Sequence, residues 1–241
     1  MRRWLSFHKN LGLQLLALYL LLIIPFLLSL WIFDGLVGRR IREDVQASDL
    51  ALAQAIAQES GRSIGNALDM VAGLVSYQGV MEADPAKMEP LFQAILSTRP
   101  DVNLVYRLDA NGIMLYHYPV GPGSTVGTDF SFRDYYLRAL SSNAPLISLG
   151  RISPTTEQAV ATAVMPLRSE DGTFLGVAGA NIKLESLSQT LTAITAEHPT
   201  DAGFQIVILD SAGQIIAYPD SSLLLHPASD LLPADLLERT T

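Results

Sequence analysis

From Leu11 to Phe33 the chain runs 23 residues without a charged side chain. As a helix this stretch rises about 34 Å, at about 1.5 Å per residue, against a hydrocarbon core of about 30 Å. One membrane crossing is predicted for 11–33. A cleaved signal peptide fits poorly, because its apolar core is usually about 7–15 residues long and no small-x-small site follows Phe33. Pro25 falls mid-span, where lipid-embedded helices tolerate proline, and Trp4 and Trp31 flank the span as interfacial aromatics do. Arg2, Arg3 and Lys9 precede the span while Arg39, Arg40 and Arg42 follow it, so the positive-inside rule gives a tie. Beyond Asp44 there are 10 Lys+Arg against 21 Asp+Glu. That acidity argues against nucleic acid and against a second contact with an anionic membrane surface. Residues 34–241 are therefore expected outside the inner (plasma) membrane, with 1–10 in the cytoplasm. The absence of cysteine excludes thiol catalysis and cysteine–zinc sites, and it is compatible with any redox compartment.

From Asp34 to Gln78 there is no proline, and Val37, Ile41, Val45, Leu52, Ile56, Ile64, Leu68, Val71 and Val75 recur at helical spacing. This predicts a long amphipathic stalk helix over 34–80, which continues the membrane helix and offers an apolar stripe for homodimerisation. Gly61, Gly65 and Gly73 each weaken it by about 1 kcal/mol relative to alanine, enough for one bend. Asp84-Pro85 starts a further helix that should end near Arg99-Pro100. The pattern then changes to strands. Val102–Leu108, the turn Asp109-Ala-Asn-Gly112 and Ile113–Tyr118 read as a hairpin, with Asn-Gly supplying positive φ. After the loop Pro119–Gly127 come a short helix near Phe132–Ser141, strands at Leu146–Ile152, Gln158–Pro166 and Phe174–Ile182, and a helix near Leu184–Glu197. Five strands in near-adjacent hairpins, flanked by helices, predict an α+β fold with an antiparallel sheet. Val105–Gly112 and Ile206–Gly213 are similar, and each is followed by an apolar strand and then Tyr-Pro. Two copies of one module are implied. The first spans 81–200 and the second, over 201–241, is incomplete, with a helix start near Pro233–Glu238.

In order and spacing, these parts resemble the double Cache sensor domains of bacterial transmembrane receptors, which feed chemoreceptors, sensor histidine kinases of two-component systems and cyclic-di-GMP enzymes. The resemblance covers roughly Arg39 to Pro219. It rests on the long helix, the Asp109–Gly112 hairpin, Gly127-Thr-Asp-Phe, Phe132-Arg-Asp-Tyr-Tyr136 and the strand ending Val177-Ala-Gly-Ala-Asn-Ile182. It implies a membrane-distal PAS-like module that holds a small ligand between sheet and short helix. The family's amino-acid-binding version carries Arg and then an aromatic pair in that helix, which Arg133, Tyr135 and Tyr136 match. Where the family places Tyr and Asp on the next strand, this chain reads Leu149-Gly-Arg-Ile-Ser153, and the last Asp becomes Asn181. Without those carboxylates an α-ammonium lacks its countercharge in a partly desolvated pocket. The expected ligand is a carboxylate, another anion or a polar neutral metabolite, with Arg151 as a second cation. On the second strand Tyr116 and His117 must face opposite ways, and Tyr116 is taken as pocket-lining.

Enzyme chemistry is not indicated. Gly121-Pro-Gly-Ser-Thr-Val-Gly127 lacks the Gly-Lys-[Ser/Thr] of a phosphate loop, and His8, His117, His198 and His226 lack metal-ligand spacing. No Gly-x-Ser-x-Gly or His-Glu-x-x-His motif is present. No catalytic residue, metal or cofactor is therefore expected, and any kinase or cyclase would lie beyond Thr241. The rival reading is a membrane-anchored oligomerisation or protein-interaction domain without a small-molecule ligand.

Overall fold

A computed structural model of the chain describes residues 11–197 and 206–233. It divides into two compact units, Met1–Leu52 and Ala53–Thr241. Helix α1, Leu11–Gly73, enters both and includes Pro25. Within the first unit, Gln14–Trp31 is long and apolar enough to cross a membrane, and its large apolar side chains are exposed. The expected cytoplasmic N-terminus and the helix start near Pro233–Glu238 fall outside the described residues.

In the second unit α1 stops at Gly73, earlier than the stripe predicts. A 3₁₀ turn, Leu74–Ser76, and a single helical turn α2, Gln78–Met81, follow it. Helix α3, Pro85–Thr98, begins where Asp84-Pro85 predicts, with the Asp84 carboxylate accepting from the Ala86 N–H at 3.1 Å. Next come strands β1 (Val102–Leu108) and β2 (Met114–Tyr118), and then helix α4 (Asp134–Ala139). Four strands follow, β3 (Leu146–Ile147), β4 (Arg151–Ile152), β5 (Ala159–Arg168) and β6 (Phe174–Lys183). They form one antiparallel sheet in the order β2-β1-β6-β5-β3, with β4 also on β5.

The predicted strand 146–152 is thus two short pieces. The break lies at Leu149–Gly150, where the backbone donors turn to carboxylates, while Ser148 N–H still donates to the Thr162 carbonyl at 2.8 Å. Leu149 N–H donates to Asp134 at 3.2 Å and Gly150 N–H to Asp210 at 3.0 Å, while Ser148 Oγ accepts from Thr162 N–H at 2.8 Å. Helix α5, Leu184–Glu197, follows β6 as expected, and β7 (Ile208–Leu209) and β8 (Ile215–Ala217) form a separate hairpin.

The internal repeat is visible down to its hydrogen bonds. Asp109 Oδ1 accepts from Asn111 N–H and Ile113 N–H, both at 2.8 Å, and Asp210 Oδ1 accepts from Ala212 N–H at 2.9 Å and Gln214 N–H at 3.0 Å. Each turn ends on a glycine in the left-handed region, Gly112 at φ 84° and Gly213 at φ 76°. Glycine alone supplies the positive φ here, and Asn111 does not.

The sheet buries both faces. One face packs Val105, Ala163, Leu167 and Ala180 against Ala67 and Val71 of α1 and Met88 and Phe92 of α3. The other packs Leu104, Tyr106, Leu108 and Val164 against Tyr135, Tyr136 and Ala139 of α4. Arg107 lies on the first face and is 2% exposed. It donates to the carbonyls of Val80 at 3.0 Å, Leu175 at 2.8 Å and Leu108, which ties α2 and the start of β6 to β1. Burial pulls its pKa down to about 10, and the Asp109 charge opposes that shift.

Candidate functional site

Directly paired residues of an antiparallel sheet share a face, so the register decides which side chains meet α4. Tyr106 pairs with Gly179 on one side and His117 on the other, and Leu104 and Thr162 both pair with Asn181. A Cβ on Gly179 would stand 2.4 Å from the Tyr106 ring, so the absence of a side chain there is what lets the phenol lie across β6. Tyr106, Thr162, Asn181 and, from β4, Arg151 form a polar row on this face. Tyr135 of α4 closes over it, with its ring 6.3 Å from that of Tyr106. The Arg151 guanidinium stacks 5.3 Å from the Tyr135 ring centroid.

The row is joined by hydrogen bonds. Arg151 Nη2 donates to Thr162 Oγ1 at 2.6 Å and to Asn181 Oδ1 at 3.4 Å, Thr162 donates to Asn181 Oδ1 at 2.7 Å, and Asn181 Nδ2 donates to Ser153 Oγ at 3.1 Å. Two buried guanidinium nitrogens at this face, Arg151 Nε and Arg133 Nε, have no hydrogen-bond partner, and the Tyr106 hydroxyl interacts with the Tyr135 phenol. Arg133 is the N-cap residue of α4, with its guanidinium 4.9 Å from the Phe132 ring centroid. It does not pair with Asp134, whose carboxylate accepts from Leu149 N–H and lies 4.0 Å from Arg138. Burial raises the phenol pKa of both Tyr106 and Tyr135, so each hydroxyl is a neutral donor at physiological pH.

Of the residues singled out from the sequence, the structure brings Arg133, Tyr135, Arg151 and Asn181 to this face of the sheet and its covering helix. Tyr136 is on the same helix but points elsewhere. Its hydroxyl donates to the Ala110 carbonyl at 2.6 Å, and its ring meets Phe174 edge-on at 5.9 Å. Tyr116 lies on the opposite face, paired with Arg107 and 6.0 Å from Phe92, and it is His117 that shares a face with Tyr106. Sequence reasoning did not single out Tyr106, Thr162 or Ser153. Nothing short of the β1–β6–β5 register could have aligned them, although the glycine in Val177-Ala-Gly-Ala-Asn181 marks a close approach.

A cavity of ≈170 Å³ lies beside Leu104 of the same sheet face, lined by His117, Pro119, Gly121, Thr155 and Thr156. His117 clasps the loop above it. Nδ1–H donates to the Pro119 carbonyl at 3.0 Å, while Nε2 accepts from Thr125 N–H at 3.2 Å and from the Ser124 hydroxyl at 3.0 Å. This pattern needs the neutral ring, and burial holds the His117 pKa below its usual value of 6.5. The unfolded chain therefore takes up the proton first. The clasp contributes fully above about pH 6.5 and is lost as pH falls from there through the lower folded value. The melting temperature is expected to fall between about pH 7.5 and about pH 5.5, and His117→Gln should flatten part of that slope. An unchanged slope in the variant would contradict the clasp.

A larger cavity, ≈360 Å³, lies where the β7–β8 hairpin meets the β3–β5 edge, lined among others by Ile147, Leu149, Leu187, Asp210 and Ile216. Its polar groups are already committed. Asp210 accepts from Gly150, Ala212 and Gln214, and Arg138 donates to the Ile147 carbonyl at 2.9 Å. Its Asp210 and Arg138 are thus already engaged, whereas the unpartnered guanidinium nitrogens lie on the α4 side of the sheet.

Comparison with known proteins agrees with this architecture. A family model described as Cache domain matches residues 37–236, and the chain belongs to that family of sensor domains. Its fold is shared with the ligand-binding domain of the Pseudomonas fluorescens chemoreceptor CtaA, crystallised with L-serine. That match has 21% identity and a TM-score of 0.65, covering 80% of this chain and 81% of that one. The ligand-binding domain of the Pseudomonas aeruginosa PAO1 amino acid chemoreceptor PctC, in complex with GABA, matches at 22% identity and TM-score 0.58, over 76% and 80% of the two chains. That of Campylobacter jejuni Tlp3, with 4-methylisoleucine, matches at 18% identity and TM-score 0.62, over 83% and 79%. The fold is that of a ligand-binding sensor domain, not of a catalytic one.

Proposed function

We propose that this chain is the extracytoplasmic sensing part of a bacterial inner-membrane receptor, and that its α4 face takes a small ligand bearing a carboxylate, anchored by Arg133. The observation that carries the reading is the pair of arginines, Arg133 and Arg151, each with a buried Nε that has no partner and neither with a carboxylate partner among the described residues. A guanidinium offers a planar fork of donors suited to a carboxylate, and the phenols of Tyr106 and Tyr135 add donors and an apolar wall. L-serine, GABA and 4-methylisoleucine, the ligands named for the three related domains, all carry a carboxylate. Residues 11–33 would anchor the receptor, 34–80 form the stalk, 81–200 the membrane-distal module and 201–241 part of a membrane-proximal one. The stalk stripe from Val37 to Val75 would pair two copies, so that ligand closure on α4 shifts an equilibrium between two dimer states. A ligand-free assembly domain is the weaker reading, because a packing role leaves the unpartnered donors of the α4 face unexplained.

A melting-shift screen of the detergent-solubilised chain with carboxylates, amino acids and simple amines tests the reading. Carboxylates should stabilise the wild type, and amines without an acid group should not. Tight binding of such amines, or no response to any carboxylate, would overturn it.

A further inference from the structure

Resting on the carboxylate reading just given, we propose that the ligand is a small dicarboxylate held at both ends, one acid group on Arg133 and the other on Arg151. The charges of two cations, Arg151 and Arg133, both act on one phenol, Tyr135. Arg151 stacks on Tyr135, and Arg133 precedes Tyr135 by two residues at the start of α4. Both stand without an ion pair among the described residues, as do Arg107, Arg168 and Lys183, but Arg107 and Arg168 give their guanidiniums to backbone carbonyls. A dianion brings one negative charge to each of these two guanidiniums, where a monoanion leaves one of them unpaired.

The neighbours of Arg151 point the same way. Thr162, Asn181 and Ser153 are neutral and buried, and they satisfy one another and a single guanidinium nitrogen, Nη2. Nothing in that row could neutralise an ammonium, whereas Arg151 Nε remains as a donor for a second acid group. Asp134 accepts from Leu149 N–H and lies 4.0 Å from Arg138, so its carboxylate is already engaged, although its charge still reaches Tyr106 and Tyr135. The site therefore selects for acid at both ends of a short ligand and against a zwitterion.

The test is calorimetric titration of the full chain with malonate, succinate, glutarate and adipate, each set against the monocarboxylate of equal chain length and against inorganic phosphate. At least one dicarboxylate should bind about 30-fold or more tightly than its monocarboxylate partner, the advantage expected of one additional partly desolvated charge contact. Arg151→Gln should erase that advantage while leaving monocarboxylate binding in place, and Arg133→Gln should weaken both. Circular dichroism and melting without ligand show whether each variant is folded. Equal affinity for mono- and dicarboxylates, or an advantage that survives Arg151→Gln, overturns the two-ended site but leaves Arg133 as a carboxylate anchor. Phosphate binding as tightly as every dicarboxylate overturns the ligand class. If no dicarboxylate binds, or if Arg133→Gln binds like the wild type, the two-ended site falls together with the sensing reading.

Discussion

Arg107→Met is expected to destabilise the second unit by about 2 kcal/mol or more, because a carbonyl left buried without a donor costs about 1–3 kcal/mol and, while Val80 keeps the Ala83 N–H, Leu108 and Leu175 lose the guanidinium. Arg107 serves three carbonyls on three segments, Val80 at the end of α2, Leu108 on β1 and Leu175 on β6. Methionine preserves much of the side-chain volume, so the loss reads the polar contribution and not a cavity. Arg107→Ala adds the cavity and should be worse. For a unit of this size, about 2–4 °C is lost per kcal/mol, so the melting temperature should drop by about 4–8 °C. Native-state hydrogen exchange should show the first loss of protection at α2 and at the β1–β6 edge. A methionine variant that melts within about 2 °C of the wild type would show that Arg107 is a passenger. Burial of an arginine with carbonyl partners only is unusual, since buried charges are normally paired with opposite charge.

Arg133→Ala should have the larger effect on binding. Removing one side of a partly desolvated charged contact costs about 2–5 kcal/mol, or about 30-fold to 4000-fold in affinity. Arg133→Lys keeps the charge and loses the fork, so it should recover only part of the loss. Arg138→Ala is the control on the same helix. Its side chain is 54% exposed and its guanidinium is engaged by the Ile147 carbonyl and Asp134, so ligand affinity should hold within a factor of about 2, the effect of a screened surface charge. If Arg138→Ala and Arg133→Ala weaken binding equally, the effect is a general loss of positive potential and not an anchor.

The periodicities of the sequence made the elements legible, and pairing made the site. Asp84-Pro85 announced α3 because both residues act within one turn, and Leu184–Glu197 matched its helix for the same local reason. The two hairpins were visible because an aspartate and a glycine at fixed spacing define a turn without help from the rest of the fold. The end of α1 was not legible. Its apolar stripe runs on through Val75, but the chain breaks at Leu74–Ser76, where Leu74 turns into the core beneath the sheet. The split of 146–152 was hidden for a related reason, since the carboxylates that capture Leu149 and Gly150 lie 15 and 60 residues away in sequence.

Arg133, Tyr135, Arg151 and Asn181 could be named through family resemblance, yet their meeting depends on β4, β5 and β6 lying side by side. Tyr116 and His117 show the limit most clearly. Alternation says that they face opposite ways, but only the pairing of His117 with Tyr106 tells which of them faces α4.

The most direct measurement is a crystal structure of the sensing domain with the tightest carboxylate found in the titrations. The account predicts ligand density between the sheet and α4, with an acid group on the Arg133 guanidinium, the Tyr135 ring against the ligand and the Tyr106 hydroxyl within hydrogen-bond reach. Density instead in the ≈360 Å³ gap beside Asp210 and Leu187, or on the Phe92 and Tyr116 side of the sheet, would contradict it.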